Sequence, residues 1–300
     1  MICYLVTEQR TYPMRFFLET WGKHLAERVR IVTYESLVGG HKLPQGDGES
    51  YIFTNFGGIG RMGPRAQKQF GDLHNRLIES CGADKVHNDP ARSLRRFDLL
   101  RHLHDRGVNS FNAYRVTERG AAPRFPALVR HESQSIFEQP ALARDADQYM
   151  AQLRGIKWRC GTLRGFIAVE FCDTADANGL YRKYGAFVVG KRIVPRHIFF
   201  SRDWHIRNPD LAEPEMVAEE LAYLDDNPHA DALLECARLA GISYGRIDYG
   251  ALDGRPQVWE INTNAALVNP PGGDLPQRAP VHERFVEKFT EALAALDGGA

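Results

Sequence analysis

Short β-branched apolar runs and helical apolar stripes alternate through the first part of the chain. Ile2–Val6 and Val29–Tyr34 are apolar with β character, and Phe16, Phe17, Trp21, Leu25 and Ala26 recur between them at helical spacing. Strand, helix, strand predicts a βαβ unit of a parallel sheet. Tyr51–Phe56 is a third strand, and a helix starting near Pro64 carries Phe70, Leu73, Leu77 and Ile78. Between them, Gly57-Gly-Ile-Gly60 fits the spacing of neither GxGxxG nor a P-loop and predicts a flexible turn. Asn88-Asp89-Pro90 then predicts a cap for a helix over Ser93–Arg106, with Leu94, Phe97, Leu100 and Leu103 on one stripe and Gly107 as its stop.

Farther on, Asn112–Val116 and Phe125–Arg130 read as strands and Asp145–Leu153 as a helix. Gly165–Asp173 is a buried strand broken by one carboxylate, Glu170. Tyr181–Val189 and Arg192–Ser201 form a hairpin about Gly190-Lys191, followed by amphipathic helices over Pro214–Leu224 and Ala232–Ala240, the second stopped by Gly241. Two further strands meet at Asp253-Gly254, a hairpin turn signal, and a helix over His282–Leu296 closes the chain.

That last hairpin carries the chemistry. Side chains alternate faces along a strand, so Arg246 and Asp248 share one face and Ile247 and Tyr249 the other. On the second strand Val258, Glu260 and Asn262 point one way, Trp259 and Ile261 the opposite way. If the apolar sets share the core face, Arg246, Asp248, Glu260 and Asn262 gather across from it. Two carboxylates and an amide oxygen suit a hard divalent cation whose shell is completed by water and phosphate. A solvated polar sheet face is the alternative.

Composition narrows the rest. The 300 residues suffice for one large or two modest domains, and 43% hydrophobic with 25% charged residues is ordinary for a globular protein. Lys plus Arg and Asp plus Glu both number 38, which argues against bulk electrostatic binding to nucleic acid or an anionic membrane. Five scattered cysteines without a CxxC pair read as reduced thiols, and with no signal-like or membrane-spanning run the expectation is a cytoplasmic protein.

Gly245-Arg-Ile-Asp248 followed by Trp259-Glu-Ile-Asn-Thr-Asn264 resembles the metal-binding end of the ATP-grasp superfamily. The resemblance spans residues 86–268. It implies a mixed α/β and α+β architecture: an N-terminal α/β domain over 1–88, then an ATP-grasp domain over 89–300. In the latter, a small lobe (about 111–172) and a large lobe (about 173–300) would clamp ATP. By resemblance Asp248, Glu260 and Asn262 are ligands of Mg²⁺ (or Mn²⁺), and Arg246 stabilises a tetrahedral intermediate. Arg96 and Arg130 fall where the family places phosphate-binding cations. The backbone of Glu170, Phe171 and Cys172 would face adenine, with Asp173 or Asp176 near ribose. Arg182, Lys183 and Arg196 are candidates for the γ-phosphate or substrate carboxylate. The family's phosphate flap is often glycine-rich, whereas His131–Phe137 has no glycine, leaving Ser133 and Ser135 as substitutes.

The activity so implied is ATP-dependent ligation of a small-molecule or peptide carboxylate to an amine through an acylphosphate, releasing ADP and phosphate. Partners would be those substrates, with no nucleic acid and no membrane, and a homodimer stays open. A kinase on the same fold and a non-catalytic nucleotide-binding protein are the alternatives.

Overall fold

The computed structural model describes residues 1–44, 48–118, 120, 122–133, 141–269 and 275–297. It opens with β1 (Ile2–Val6), α1 (Tyr12–Glu19), β2 (Val29–Thr33), α2 (Tyr34–Val38), β3 (Ser50–Phe53), α3 (Phe56–Arg61), α4 (Pro64–Cys81) and β4 (Val86–His87). The strands form the expected parallel sheet, ordered β2-β1-β3-β4. The first helix is shorter than its apolar spacing suggests. The chain turns back at Gly22, where a Cβ would lie 2.4 Å from the Phe17 ring. The glycine tract is not a turn. It forms α3, packed so closely on the end of β1 that a Cβ on Gly58 would sit 2.5 Å from the Thr7 methyl.

The middle of the chain supplies α5 (Arg96–Asp105), β5 (Ala113–Arg115), β6 (Ala127–His131), β7 (Leu142–Ala143), α6 (Ala146–Cys160) and β8 (Phe166–Glu170). Their sheet is antiparallel, ordered β5-β8-β6-β7. Helix α6 outruns its expected end: Asp145 caps it by accepting from the Gln148 N–H, and left-handed Gly161 stops it. The remainder builds β9 (Tyr181–Val189), β10 (Arg192–Ser201), α7 (Pro214–Asp225), α8 (Ala230–Ala240), β11 (Tyr244–Leu252), β12 (Arg255–Asn262) and α9 (Ala279–Leu296). These strands pair antiparallel in the order β10-β9-β11-β12. Asp253 (φ 51°) and Gly254 (φ 72°) form the hairpin turn as expected.

One apolar core joins the first sheet to the last. Ile2, Tyr4, Val6 and Phe17 pack in the same cluster as Phe187, Ile247, Phe285 and Phe289. The division at residue 88 therefore separates sheets but not cores. The middle sheet keeps clusters of its own, under α6 (Val129, Tyr149, Leu153, Phe166) and against α5 (Phe97, Leu100, Phe111, Val169).

Asn88 clips the junction and caps no helix. Its left-handed backbone (φ 65°) turns the buried amide between two strands. Nδ2 donates to the carbonyls of Phe53 (2.9 Å) and Tyr244 (2.8 Å), and Oδ1 accepts from the N–H groups of Ser243 (2.8 Å) and Tyr244 (2.9 Å). Helix α5 begins without a side-chain cap.

Asn88→Ala strands two buried carbonyls and two buried N–H groups, so urea unfolding should show a loss of about 3 kcal/mol or more. Asn88→Asp keeps the two acceptor bonds, loses both donor bonds, and should also destabilise. Next to it, buried His87 meets the Ser243 hydroxyl at 3.1 Å, and burial pushes its imidazole down to about 4. An unfolded chain takes up that proton near pH 6.5, so stability should be full above that pH. It should fall as pH drops toward about 4, by roughly 3 kcal/mol at most. In His87→Gln this slope of unfolding free energy against pH should flatten.

Candidate active site

The site is built on the last sheet. Asp248 stands opposite Glu260 and Arg246 opposite Asn262 in the β11–β12 register. Directly opposed residues share a face and bring their Cβ atoms within about 4.5–5.5 Å. All four polar positions therefore gather on one face, as alternation predicts. Alternation fails one residue earlier. The register shifts between Asp248 and Tyr249, so Val258 pairs with Tyr249 and Trp259 is the extra residue. Such a bulge reverses the facing of everything beyond it. Val258 enters the main core, whereas Trp259 lines the cleft beside Glu260, the reverse of the sequence expectation for both.

Each carboxylate is held by cations. Asp248, 2% exposed, accepts from Arg246 Nε (2.6 Å) and Nη2 (3.0 Å), and Lys183 Nζ lies 3.0 Å away. Burial alone would raise its pKa, but Arg246 and Lys183 outweigh burial and hold it at about 2. Glu260 is in contact with the Arg96 guanidinium, which also donates to the Glu132 carbonyl at 3.1 Å. Burial, reinforced by Arg130, pulls Arg96 down to about 9; burial and Arg207 pull Arg130 to about 10. Both remain charged at neutral pH.

These groups border a cleft of about 390 Å³. Arg130, Lys183, Arg207 and Arg246 line it with Asp248 and Glu260, and Arg96 reaches in through Glu260. Glu170 is neutralised elsewhere, so the cleft carries an excess of positive charge suited to a polyanion. Its other wall is apolar: Leu100, Phe111, Leu128, Val169, Ile206 and Trp259. A cleft lined by both apolar and cationic side chains suits a molecule with a flat base and a phosphate tail.

The Glu170 carboxylate is engaged by donors of the protein itself. Its carboxylate accepts from Arg124 N (2.9 Å), Nε (3.1 Å) and Nη2 (2.7 Å), from Asn112 N (3.0 Å) and from the Tyr114 hydroxyl (3.2 Å). Burial would raise its pKa, but these donors lower it. Its own N–H donates to the Asn112 carbonyl, and that of Phe171 to Pro126, so neither N–H is open to a ligand. Cys172 lines the cleft with its Sγ 3.4 Å from the Ser110 hydroxyl. Asp173 is exposed outside the lining residues, accepting from Ala175 N at 3.1 Å.

Two expected cations lie elsewhere. Arg182 points away from the cleft, because its neighbour Lys183 takes the cleft face of β9. Its guanidinium bonds Glu219 (2.7 Å) and Asp176 (2.8 Å) above the Phe200 ring. Asp176 is thereby tied to Arg182. Arg196, 2% exposed, donates to the Leu267 carbonyl and lies over the Phe285 ring at 4.7 Å. Ser133 bonds back to His131 (3.3 Å), and Ser135 lies outside the described residues, as do residues 270–274 of the loop before α9. Missed in the sequence were Arg124, which lies in an unpatterned loop, and Arg207 with His205 and Ile206, which adjoin Trp204 after β10. An Arg beside a Trp-His pair was the available signal.

The oxygen donors fit a hard divalent ion. No group of three His, Cys, Asp or Glu side chains placed to share a metal occurs among the described residues. Asp248 and Glu260 with the Asn262 amide, whose Oδ1 accepts from Asn264 N (3.0 Å), form the smaller oxygen set an ion uses when phosphate and water complete its shell. No helix among the described residues is long and apolar enough to cross a membrane.

No protein-family model matches the sequence, and no curated protein does. Solved structures do match. The ATP-grasp ligase PsnB in complex with minimal precursor, Mg and ADP superposes with a TM-score of 0.56 at 12% identity, over 99% of this chain and 98% of that one. D-cycloserine synthetase DcsG gives 0.52 at 15% identity over 98% and 100% of the two chains. D-alanine–D-alanine ligase from Bacillus anthracis complexed with ATP gives 0.50 at 14% over 99% of each. The chain has the ATP-grasp fold.

Lys183→Met should raise the Asp248 pKa from about 2 toward the ordinary carboxylate range, since Arg246 alone would then oppose burial. A carboxyl-carbon NMR titration reads this directly. An unmoved Asp248 would mean that Arg246 suffices.

Proposed function

We propose that the chain is an ATP-dependent carboxylate–amine ligase. The observation that carries this reading is the pair Asp248 and Glu260, held by Arg246, Lys183 and Arg96, in a cleft that Arg130 and apolar side chains also line. Few ligands other than a metal–nucleotide need all three features at once. The fold supports it further, since the structurally similar proteins are ligases or a synthetase by name, one of them holding Mg and ADP.

In this reading the base lies against Leu128, Val169, Ile206 and Trp259, and the phosphates extend toward Arg130, Arg96 and Lys183. Asp248, Glu260 and Asn262 would hold Mg²⁺, or Mn²⁺, which when bound neutralises phosphate charge and orients the transferred group. The residues of the chain then supply positioning and charge. Phosphoryl transfer to a substrate carboxylate gives an acylphosphate, and it depends mainly on alignment and electrostatics. Arg246 sits with one guanidinium edge on Asp248 and Nη1 3.3 Å from the Ala266 carbonyl, aimed at the loop beyond β12. There it would stabilise the oxyanion formed as an amine attacks the acyl carbon, with phosphate leaving. Closure of the walls over bound substrates would exclude water that otherwise hydrolyses the acylphosphate. PsnB has also been solved with a precursor peptide, which supports a peptide or amino-acid carboxylate as substrate class.

ADP release measured across carboxylate and amine pools tests the proposal, with hydroxylamine added to trap an acylphosphate as a hydroxamate. Turnover should require both substrates and a divalent metal. Glu260→Gln should lower it on the order of 10²–10³-fold without unfolding the chain. A stable phosphorylated product would instead identify a kinase. Nucleotide binding without turnover on any pair would leave a binding protein.

A further inference from the structure

Every carboxylate that a metal would use is already in an ion pair with a cation that a phosphate would use. Lys183 Nζ is 3.0 Å from Asp248, Arg246 bonds the same carboxylate through two nitrogens, and Arg96 is in contact with Glu260. The side chains of Asp248, Lys183, Arg96 and Arg246 are 3%, 16%, 14% and 17% exposed, so solvent screens these pairs weakly. A divalent ion arriving alone meets three fixed positive charges around the two carboxylates it needs. A polyphosphate changes the balance, because it offers those cations several anionic oxygens at once.

We propose that Arg96 and Lys183 have a second role, holding Glu260 and Asp248 in ion pairs that keep divalent metal out until nucleotide phosphates draw the two cations away. This rests on the reading of the cleft as a nucleotide site. The exchange is a swap of partners and makes or breaks no covalent bond. Lys183 and Arg96 pass from carboxylate to phosphate, and the freed carboxylate oxygens turn to the ion. Arg246 stays beside Asp248 to serve the later oxyanion. Metal and nucleotide therefore bind as mutually dependent ligands, each raising the other's affinity by the same factor.

The geometry gives one substitution two effects of opposite sign. Removing Arg96 uncovers Glu260 and should strengthen metal binding in the absence of nucleotide. The same change removes a phosphate partner and should weaken nucleotide binding in the absence of metal. A residue acting only as a phosphate ligand would show the second effect alone, and one acting only as packing would show neither.

The test uses the full chain, with Mn²⁺ as the metal and ADP as the nucleotide. The EPR signal of free aqueous Mn²⁺ reports metal binding with and without ADP, and calorimetry in EDTA reports metal-free ADP binding. Wild type should bind Mn²⁺ weakly alone and markedly more tightly with ADP. Arg96→Met and Lys183→Met should each bind Mn²⁺ alone on the order of 10-fold more tightly than wild type, and metal-free ADP on the order of 10-fold more weakly. Arg238→Met, which breaks the surface pair with Glu235, should leave both constants unchanged. Unchanged or weaker Mn²⁺ binding in the two cleft variants overturns the proposal. If Arg96→Met fails to fold, Lys183→Met decides alone, and circular-dichroism melts identify that case. Failure of wild type to bind ADP at all would overturn the nucleotide reading, while the Mn²⁺ comparison would still report whether the carboxylates are masked.

Discussion

The pairing of β11 with β12 holds Asp248 opposite Glu260, and the extra residue Trp259 reverses the strand immediately beyond them. Both features are needed. Cross-strand opposition brings two like charges together on one face, which is destabilising without compensation. The bulge frees Val258 for the core and turns a large aromatic side chain toward the slot. Arg246, Lys183 and Arg96 provide the compensation. Lys183 lies one strand over on β9, and Arg96 reaches across from the first turn of α5. Charge neutralisation thus ties the middle sheet to the last one through side chains rather than backbone.

On the opposite wall the logic is inverted. Glu170 is a carboxylate 3% exposed that spends both oxygens on Arg124, Asn112 and Tyr114. It fixes the exit of β8 just before Phe171 and Cys172 enter the cleft. Three acids, Asp248, Glu260 and Glu170, carry the same formal charge and are met by different donors.

Much of this was legible in the residues. The hairpins at Gly190 and Asp253-Gly254, the stop glycines at 107 and 241, and the polar face of 246, 248, 260 and 262 all follow from turn chemistry and period-two alternation. What stayed hidden depended on contacts distant in sequence. Adjacent Arg182 and Lys183 cannot both face the cleft, but strand parity alone does not say which one does. Asn88 has the composition of a helix cap, and only the approach of Phe53 and Tyr244 makes it a clip. The Gly57–Gly60 tract looked like a turn because its helix depends on close contact with Thr7, which local propensity does not encode. A bulge leaves no mark in an apolar–polar pattern except a misplaced pair, here Val258 and Trp259.

The core that runs from Ile2 and Phe17 through Phe187 to Phe289 has a thermodynamic consequence. Two sheets that share one set of apolar contacts cannot melt separately, because loosening either one exposes the other's buried surface. The parallel sheet, which contributes no lining residue to the cleft, thereby shares its cooperativity with the sheet that does. Stabilisation gained by any ligand at Asp248 is passed to the strands of the parallel sheet, and amide protons in β1 would report on occupancy of a pocket they do not line.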